Sequence, residues 1–289
     1  MTLYILGNGF DLNHDLKTSY PCYKRFIEDN LDGHKDWEII LHYYPKDYKF
    51  WNEAETYICE IDKTLFRKQK TTFGFTFLDD LFYQISESFN AFIISAFNTN
   101  IEKKFVFDSD CAFINFNYTS YLEDIYNIPR GRIIYLHNDL KGPILKKYFR
   151  IYSPDNLILG HALSTNDFFI HKDKDIKNDE EYAEFVEKTT KPYKQIIRDK
   201  RLEQFLKINK TRINKVVFFG FSFSKADKPY LQLLFSSLPT QKVKYYVYYH
   251  VGDKETDAES KQKLIDNIVY AGGDTSNMTF INCEGVTRI

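Results

Sequence analysis

The chain has 289 residues, of which 43% are hydrophobic and 27% charged, and these values are typical of a globular protein with a large core. Its net charge of -1 gives no general attraction to nucleic acid or to an anionic membrane, so nucleic acid is not an expected partner. The four cysteines are scattered and form no C-x-x-C pair, which argues against a disulfide framework and against a zinc site.

The first predicted element is a strand, TLYILG, that begins at residue 2. A secretory signal peptide combines a basic region, an apolar stretch and a cleavage site, and this N-terminus does not have that pattern. No apolar run approaches the roughly 20 residues that span a bilayer. We therefore expect a cytoplasmic protein without a membrane partner.

The glycine-containing loop after this strand occupies the position of the first phosphate loop in nucleotide-binding folds. Gly7, Asn8 and Gly9 form the loop, and glycines there allow backbone N–H groups to approach a pyrophosphate. The third glycine of the G-x-G-x-x-G pattern is replaced by Leu12, so a hydride-transferring dehydrogenase is a poor fit. A plain tight turn explains the glycines equally well.

Helices and strands alternate along the rest of the chain. Ser19 is placed to cap a helix with Pro21 in its first turn, and the segment 78–97 carries an apolar stripe that we expect to pack on a sheet. Further strands are predicted in the segments CAFINFN, RIIYLH, NLILG, KVVFFGFSF, KVKYYVYYHV and MTFINC. This alternation predicts an α/β fold with a doubly wound, mainly parallel, Rossmann-like sheet.

The segment from about 167 to 210 interrupts this pattern because it is dense in charge and helical in composition. We interpret it as a helical insertion or lid within a single α/β domain that spans residues 1–289. A solvated helical hairpin without a role in binding fits the charge equally well.

Polar residues follow two consecutive predicted strands. Asn117, Tyr118 and Thr119 end the first of them, and His137 ends the second. Ligands bind at the carboxyl ends of strands in open parallel sheets. An amide, a hydroxyl and an imidazole that titrates near neutral pH are suited to such a site. Turn chemistry explains each residue alone, but their joint placement favours a ligand site.

Two later strand ends repeat the arrangement. One ends on Gly160 and His161, and the other continues through Gly220 and Ser222 to Asp227. An N-cap for the following helix explains Asp227 equally well. The sequence GFSFS lacks the closing glycine of a nucleophile elbow, so an α/β-hydrolase triad is not supported.

Together these motifs resemble a known family. The segments LYILGNGFDLNHDLKTSY, FINFNYTSYLEDIY, LILGH and FFGFSFSKADKPY resemble, in the same order, the AbiH family of bacterial proteins associated with abortive infection against bacteriophage. The order of motifs is also remotely similar to the sirtuin-like NAD-binding fold. The resemblance implies an antiphage function and a nucleotide ligand.

The sirtuin-like resemblance implies roles for individual residues. Gly7 and Gly9 would face the phosphates, Asn117 the ribose or nicotinamide, and His137 would act as the base on a ribose hydroxyl. Asn117 and His137 are therefore the catalytic candidates. The candidate cofactor-binding residues are Gly7, Asn8, Gly9, Asp11, Tyr118, Thr119, Gly160, His161, Gly220, Ser222 and Asp227.

Two features depart from the sirtuin-like pattern. Asn138 follows the candidate base where glycine is usual, and Thr119 stands where an acidic residue is usual. The sirtuin zinc module is absent from the sequence, which argues against protein deacylation.

Three functions remain open from the sequence. The first is an effector that binds NAD or a related nucleotide and hydrolyses its N-glycosidic bond, with no metal cofactor. The second is a catalytically inactive nucleotide sensor that signals through a partner or a second copy of the chain. A nuclease is the least favoured, because the charge is near zero and no metal-binding carboxylate cluster is visible.

Overall fold

The computed structural model describes residues 1–44, 51, 54, 58, 61, 63–73, 78–96, 101–139, 160, 180–252, 255–283 and 286. The chain divides into two units. The sheet unit comprises Met1–Lys17, Phe97–Lys141 and Pro192–Ile289, and the helical unit comprises Thr18–Ala96 and Gly142–Lys191.

The sheet unit is built on six parallel strands. They are β1 (Thr2–Leu6), β2 (Cys111–Asn115), β3 (Ile133–Tyr135), β4 (Lys215–Phe219), β5 (Lys244–Tyr249) and β6 (Met278–Asn282). Their order across the sheet is β3-β2-β1-β4-β5-β6, and every neighbouring pair is parallel. This is the strand order of doubly wound dinucleotide-binding folds. The prediction of a parallel, Rossmann-like α/β sheet is confirmed.

The central strands form because their apolar residues are buried on both faces. All residues of β1 and β2 are buried, which agrees with their continuous apolar sequences. Tyr4 and Phe113 are register partners on these strands, and their rings stack with centroids 5.2 Å apart. Both rings belong to the buried cluster that also contains Leu6 and Phe10.

Eleven helices are defined within the described residues. They are α1 (Asn8–Asn13), α2 (Tyr20–Asn30), α3 (Glu38–Tyr43), α4 (Lys63–Phe73), α5 (Leu78–Ala96), α6 (Tyr121–Asp124), α7 (Glu180–Lys188), α8 (Tyr193–Asp199), α9 (Leu202–Asn209), α10 (Lys228–Ser237) and α11 (Asp257–Tyr270). Short 3₁₀ turns cover Lys35–Trp37, Arg130–Arg132 and Lys225–Asp227. In the described part of the chain, no helix has the length and apolar character needed to cross a membrane.

The predicted N-terminal end of α2 is confirmed, and a glycine follows the C-terminal end of α11. The Ser19 hydroxyl caps α2 by accepting a hydrogen bond from the N–H of Cys22 at 3.4 Å, and Pro21 lies in the first turn. Gly272 follows α11 with φ of +84°, which is the left-handed conformation that glycine adopts without strain.

Helix α5 forms as predicted and buries its apolar stripe, but its main contacts are with α2, α3 and α7 of the helical unit rather than with strands. The charged segment is divided between the units, because α7 belongs to the helical unit whereas α8 and α9 belong to the sheet unit. Residues 167–179 of that segment and residues 156–159 of the predicted strand NLILG lie outside the described residues.

The loops after β1 and β4 touch through their backbones. The N–H of Gly9 donates to the carbonyl oxygen of Gly220 at 2.9 Å, and the N–H of Gly7 donates to the carbonyl oxygen of Phe219 at 3.1 Å. A Cβ atom on Gly9 would lie 2.5 Å from the Cα of Gly220, so no side chain fits there. Gly220 itself has φ of +60°, which favours glycine.

This contact makes Gly9 a stability determinant. We predict that Gly9→Ala lowers the free energy of unfolding by about 1–3 kcal/mol, because two backbone segments must separate to admit the methyl group. The matched control is Gly131→Ala, since a Cβ atom there meets no atom within 4 Å. Urea denaturation of both variants measures the difference, and equal stability of the two would contradict the packing described.

Candidate functional site

Four neighbouring strands of the sheet unit end in buried polar residues. They are Asp11 after β1, Asn117 and Thr119 after β2, His137 after β3 and Asp227 after β4. Because the strands are parallel and adjacent, the segments that follow them leave the sheet at one edge. The fold therefore brings residues that are distant in sequence to a common edge.

The carboxylate of Asp11 is held by two donors from the loop after β2. Asn117 Nδ2 donates to Asp11 Oδ1 at 3.1 Å, and Thr119 Oγ1 donates to Asp11 Oδ2 at 2.8 Å. The Asn117 backbone N–H in turn donates to Asn115 Oδ1 at 3.1 Å, which fixes the start of this loop. Asp11 and Asn117 are only 1% and 3% exposed. The side chains of Asp11, Asn117 and Thr119 form one buried polar group, which we call the Asp11 cluster.

Burial changes the acidity of Asp11. Loss of solvation raises the pKa of its carboxyl group to about 7, although the hydrogen bonds from Thr119 and Asn117 oppose this by stabilising the carboxylate. Asp11 can therefore gain or lose a proton near neutral pH, as a general acid or base must.

His137 lies between a backbone carbonyl and a carboxylate. Its Nδ1 is 3.2 Å from the carbonyl oxygen of Phe116, and because a carbonyl only accepts, Nδ1 carries the hydrogen. Its Nε2 is 3.7 Å from Asp227 Oδ1, and Asp227 Oδ2 accepts a hydrogen bond from the Ser224 hydroxyl at 3.0 Å.

Asp227 makes no side-chain capping hydrogen bond to α10, so the capping interpretation does not describe its observed contacts.

Aromatic rings enclose His137. The rings of Phe116, Tyr118 and Tyr230 have centroids 5.5, 5.7 and 6.1 Å from the imidazole centroid, and His137 is 2% exposed. Phe116 and Tyr118 flank Asn117 in sequence, so the imidazole lies beside the loop that holds Asp11. The Asp11 cluster and the His137–Asp227 pair are therefore neighbours along one loop.

The glycine loop does not present its glycine N–H groups outward. Those of Gly7 and Gly9 already donate to the carbonyl oxygens of Phe219 and Gly220 at the end of β4, so the close approach to Gly220 accounts for both glycines without a phosphate. Asn8, which begins α1, is half-buried.

The other predicted site residues are Ser222, Gly160 and His161. Ser222 is exposed, and its carbonyl oxygen accepts a hydrogen bond from Asn267 at 3.3 Å. Gly160 belongs to the helical unit, where an added Cβ atom would lie 2.4 Å from the carbonyl oxygen of Thr189. His161 lies outside the described residues. No cluster of three or more His, Cys, Asp or Glu residues suited to a metal ion occurs in the described ranges.

Sequence reasoning missed a second buried histidine, His14, which follows the last residue of α1. His14 Nδ1 is 2.7 Å from the carbonyl oxygen of Phe10, and its Nε2 is 2.7 Å from the hydroxyl of Tyr126. Because Nδ1 donates to a carbonyl, Nε2 of the neutral ring accepts from the Tyr126 hydroxyl, and that hydroxyl accepts the backbone N–H groups of Lys104 and Phe105 at 3.0 and 3.1 Å. Burial lowers the pKa of His14, and the network anchors the helix that carries Asp11. The available signal in the sequence was that His14 lies three residues after Asp11, a spacing that places both on the same side of a helical turn.

A family model described as "Bacteriophage abortive infection AbiH" matches residues 3–79 and 73–249 of the chain. The chain belongs to the AbiH family. Membership of AbiH implies a function in abortive infection against bacteriophage, and the matched ranges include the Asp11 cluster and the His137–Asp227 pair. Neither curated proteins nor solved structures gave a significant match. The resemblance to AbiH is thus confirmed, whereas the sirtuin-like resemblance stays a prediction.

The raised pKa of Asp11 predicts how the stability of this AbiH protein depends on pH. The native state holds the Asp11 proton more tightly than the unfolded state does, so stability falls as pH rises from about 4 towards 7. In Asp11→Asn the amide oxygen still accepts from Asn117, and its N–H₂ donates to the Thr119 hydroxyl. We expect the wild type to lose about 2–3 kcal/mol relative to this variant between pH 5 and pH 8.

Urea denaturation of the two proteins at both pH values measures this difference. All other titrating groups are the same in the two proteins, so their contributions to the free energy of unfolding cancel in the comparison. Parallel stability curves would show that Asp11 does not titrate with a raised pKa.

Proposed function

We propose that this protein binds NAD or a related nucleotide at the carboxyl edge of the sheet and hydrolyses its N-glycosidic bond as an antiphage effector. The strand order supports a nucleotide ligand, because ligands of doubly wound sheets bind beyond the carboxyl ends of the strands. The Asp11 cluster and the His137–Asp227 pair supply the polar groups at this edge.

One atom carries the proposal. Asn117 Nδ2 is committed to Asp11, and within the described residues Asn117 Oδ1 is buried without a hydrogen-bond partner. A buried acceptor of this kind costs about 1–3 kcal/mol when it is left unsatisfied. A ligand that presents an N–H₂ or a hydroxyl group would satisfy it, and a nicotinamide carboxamide or a ribose hydroxyl offers such a donor.

The two polar groups suit different parts of the hydrolysis. When the bond between ribose C1′ and the nicotinamide nitrogen breaks, its electron pair leaves with nicotinamide and a water oxygen takes its place on C1′. The Asp11 carboxylate would stabilise the positive charge that develops on the ribose. His137 Nε2 would take the proton of the attacking water, and Asp227 would stabilise the resulting imidazolium. Asn117 would orient the ligand.

A binding module without turnover is the second candidate. The three aromatic rings around His137 favour it, because they shield the imidazole from the bulk water that hydrolysis consumes. Such a protein would sense a nucleotide or a phage product and signal through a partner or a second copy of the chain.

Turnover of NAD by the purified full chain tests the proposal. Mass spectrometry follows the loss of NAD and the appearance of nicotinamide and ADP-ribose. We expect His137→Ala and Asn117→Ala to lower kcat by about 10²–10⁴-fold, because each removes a group that acts in the reaction. His250→Ala is the matched control, since His250 is exposed at the end of β5 and should leave the rate unchanged.

The outcomes separate the candidate functions. Calorimetric binding of NAD without product formation favours the sensor. If the purified protein neither binds nor hydrolyses NAD, and NAD levels stay constant in infected cells during growth arrest, the proposed ligand is rejected. Metal-dependent loss of RNA or plasmid integrity would instead favour a nuclease.

A further inference from the structure

The turn that carries His137 has a backbone conformation that needs support. Asn138, the next residue, has φ of +64°, a left-handed conformation that few non-glycine residues adopt, although asparagine tolerates it better than most. Such conformations persist where surrounding contacts hold them. Lys200 donates a hydrogen bond to the side-chain oxygen of Asn138 and supplies one such contact.

The stronger support comes from Arg130. Its Nη1 and Nη2 donate to Asp139 Oδ2 and Oδ1 at 2.6 and 3.2 Å, which is a paired, bidentate arrangement. Asp139 lies two residues after His137 and is 4% exposed, whereas the Arg130 side chain is 54% exposed, so the pair joins a buried carboxylate to a partly solvated guanidinium.

Arg130 is itself fixed to strand β3. It donates to Glu123 Oε2 at 2.9 Å, and the same oxygen accepts the Tyr135 hydroxyl at 3.0 Å. The guanidinium carbon lies 5.1 Å from the centroid of the Tyr135 ring. Tyr135 is the last residue of β3, so Arg130 connects the end of the strand to the residue just beyond His137.

We infer that Arg130 is a positioning residue that acts through Asp139: its paired hydrogen bonds fix the turn that carries His137 and thereby set the orientation of the imidazole towards Asp227. The inference deepens the proposed function and rests on it for its catalytic consequence. Lysine cannot replace Arg130 fully, because an ammonium group lacks the planar fork that contacts both oxygens of Asp139.

Kinetics provide the first test. In the full chain, Arg130→Gln should lower kcat for NAD hydrolysis by about ten- to a hundredfold, the loss expected from a small displacement of a catalytic group, with KM nearly unchanged. Arg130→Lys should fall between this variant and the wild type. Arg132→Gln is the matched control, because Arg132 lies on the same turn and donates instead to the carbonyl oxygen of Ser109.

Histidine-ring NMR spectra provide a second test that does not need turnover. The His137 resonances, assigned by their loss in His137→Gln, should move in Arg130→Gln and stay in place in Arg132→Gln, whereas those of His250 should stay in both.

If the wild type hydrolyses no NAD, the proposed function fails but these spectra still decide the positioning role. Unchanged His137 resonances, or an unchanged kcat, overturn the inference. If Arg130→Gln does not fold, the same readouts in Arg130→Lys decide it.

Discussion

The burial of one carboxylate is the constraint on which the rest of the site depends. Asp11 leaves water only because Asn117 and Thr119 donate to its two oxygens, and removal of either donor would leave a buried acid incompletely satisfied. The same bonds join the loops after β1 and β2. They also hold Asn117 so that its side-chain oxygen is buried without a hydrogen-bond partner among the described residues.

The contact between the glycine loops decides where that ligand would lie. In doubly wound sheets, the crevice between the first and fourth strand ends is the usual ligand position. Here the backbones of Gly9 and Gly220 approach too closely for a side chain to fit between them. The polar groups therefore extend to one side of this contact, over β2 and β3, and Asp227 reaches them from the end of β4.

Local patterns predicted the fold better than the site. Continuous apolar runs identified β1, β2 and β4, because both faces of these strands are buried, and a parallel sheet requires their polar ends to share an edge. The apolar stripe of α5 predicted that one helix face is buried. It did not predict the elements that pack on that face, because an amphipathic pattern does not depend on their identity. Likewise, the glycine pattern did not reveal that Gly7 and Gly9 contact another loop. The bonds of Asp11 and the contact between Arg130 and Asp139 depend on tertiary placement, which spacing alone does not determine.

A carbon-13 NMR titration of the Asp11 carboxyl group, assigned with Asp11→Asn, tests the central claim most directly. Because Asp11 is buried and accepts hydrogen bonds from Asn117 and Thr119, its carboxyl group should titrate with a midpoint near pH 7. Addition of NAD should displace that midpoint, because the proposed ligand would contact the Asp11 cluster. A midpoint near the ordinary value of about 4, unaffected by NAD, would contradict both the buried carboxylate and the nucleotide site.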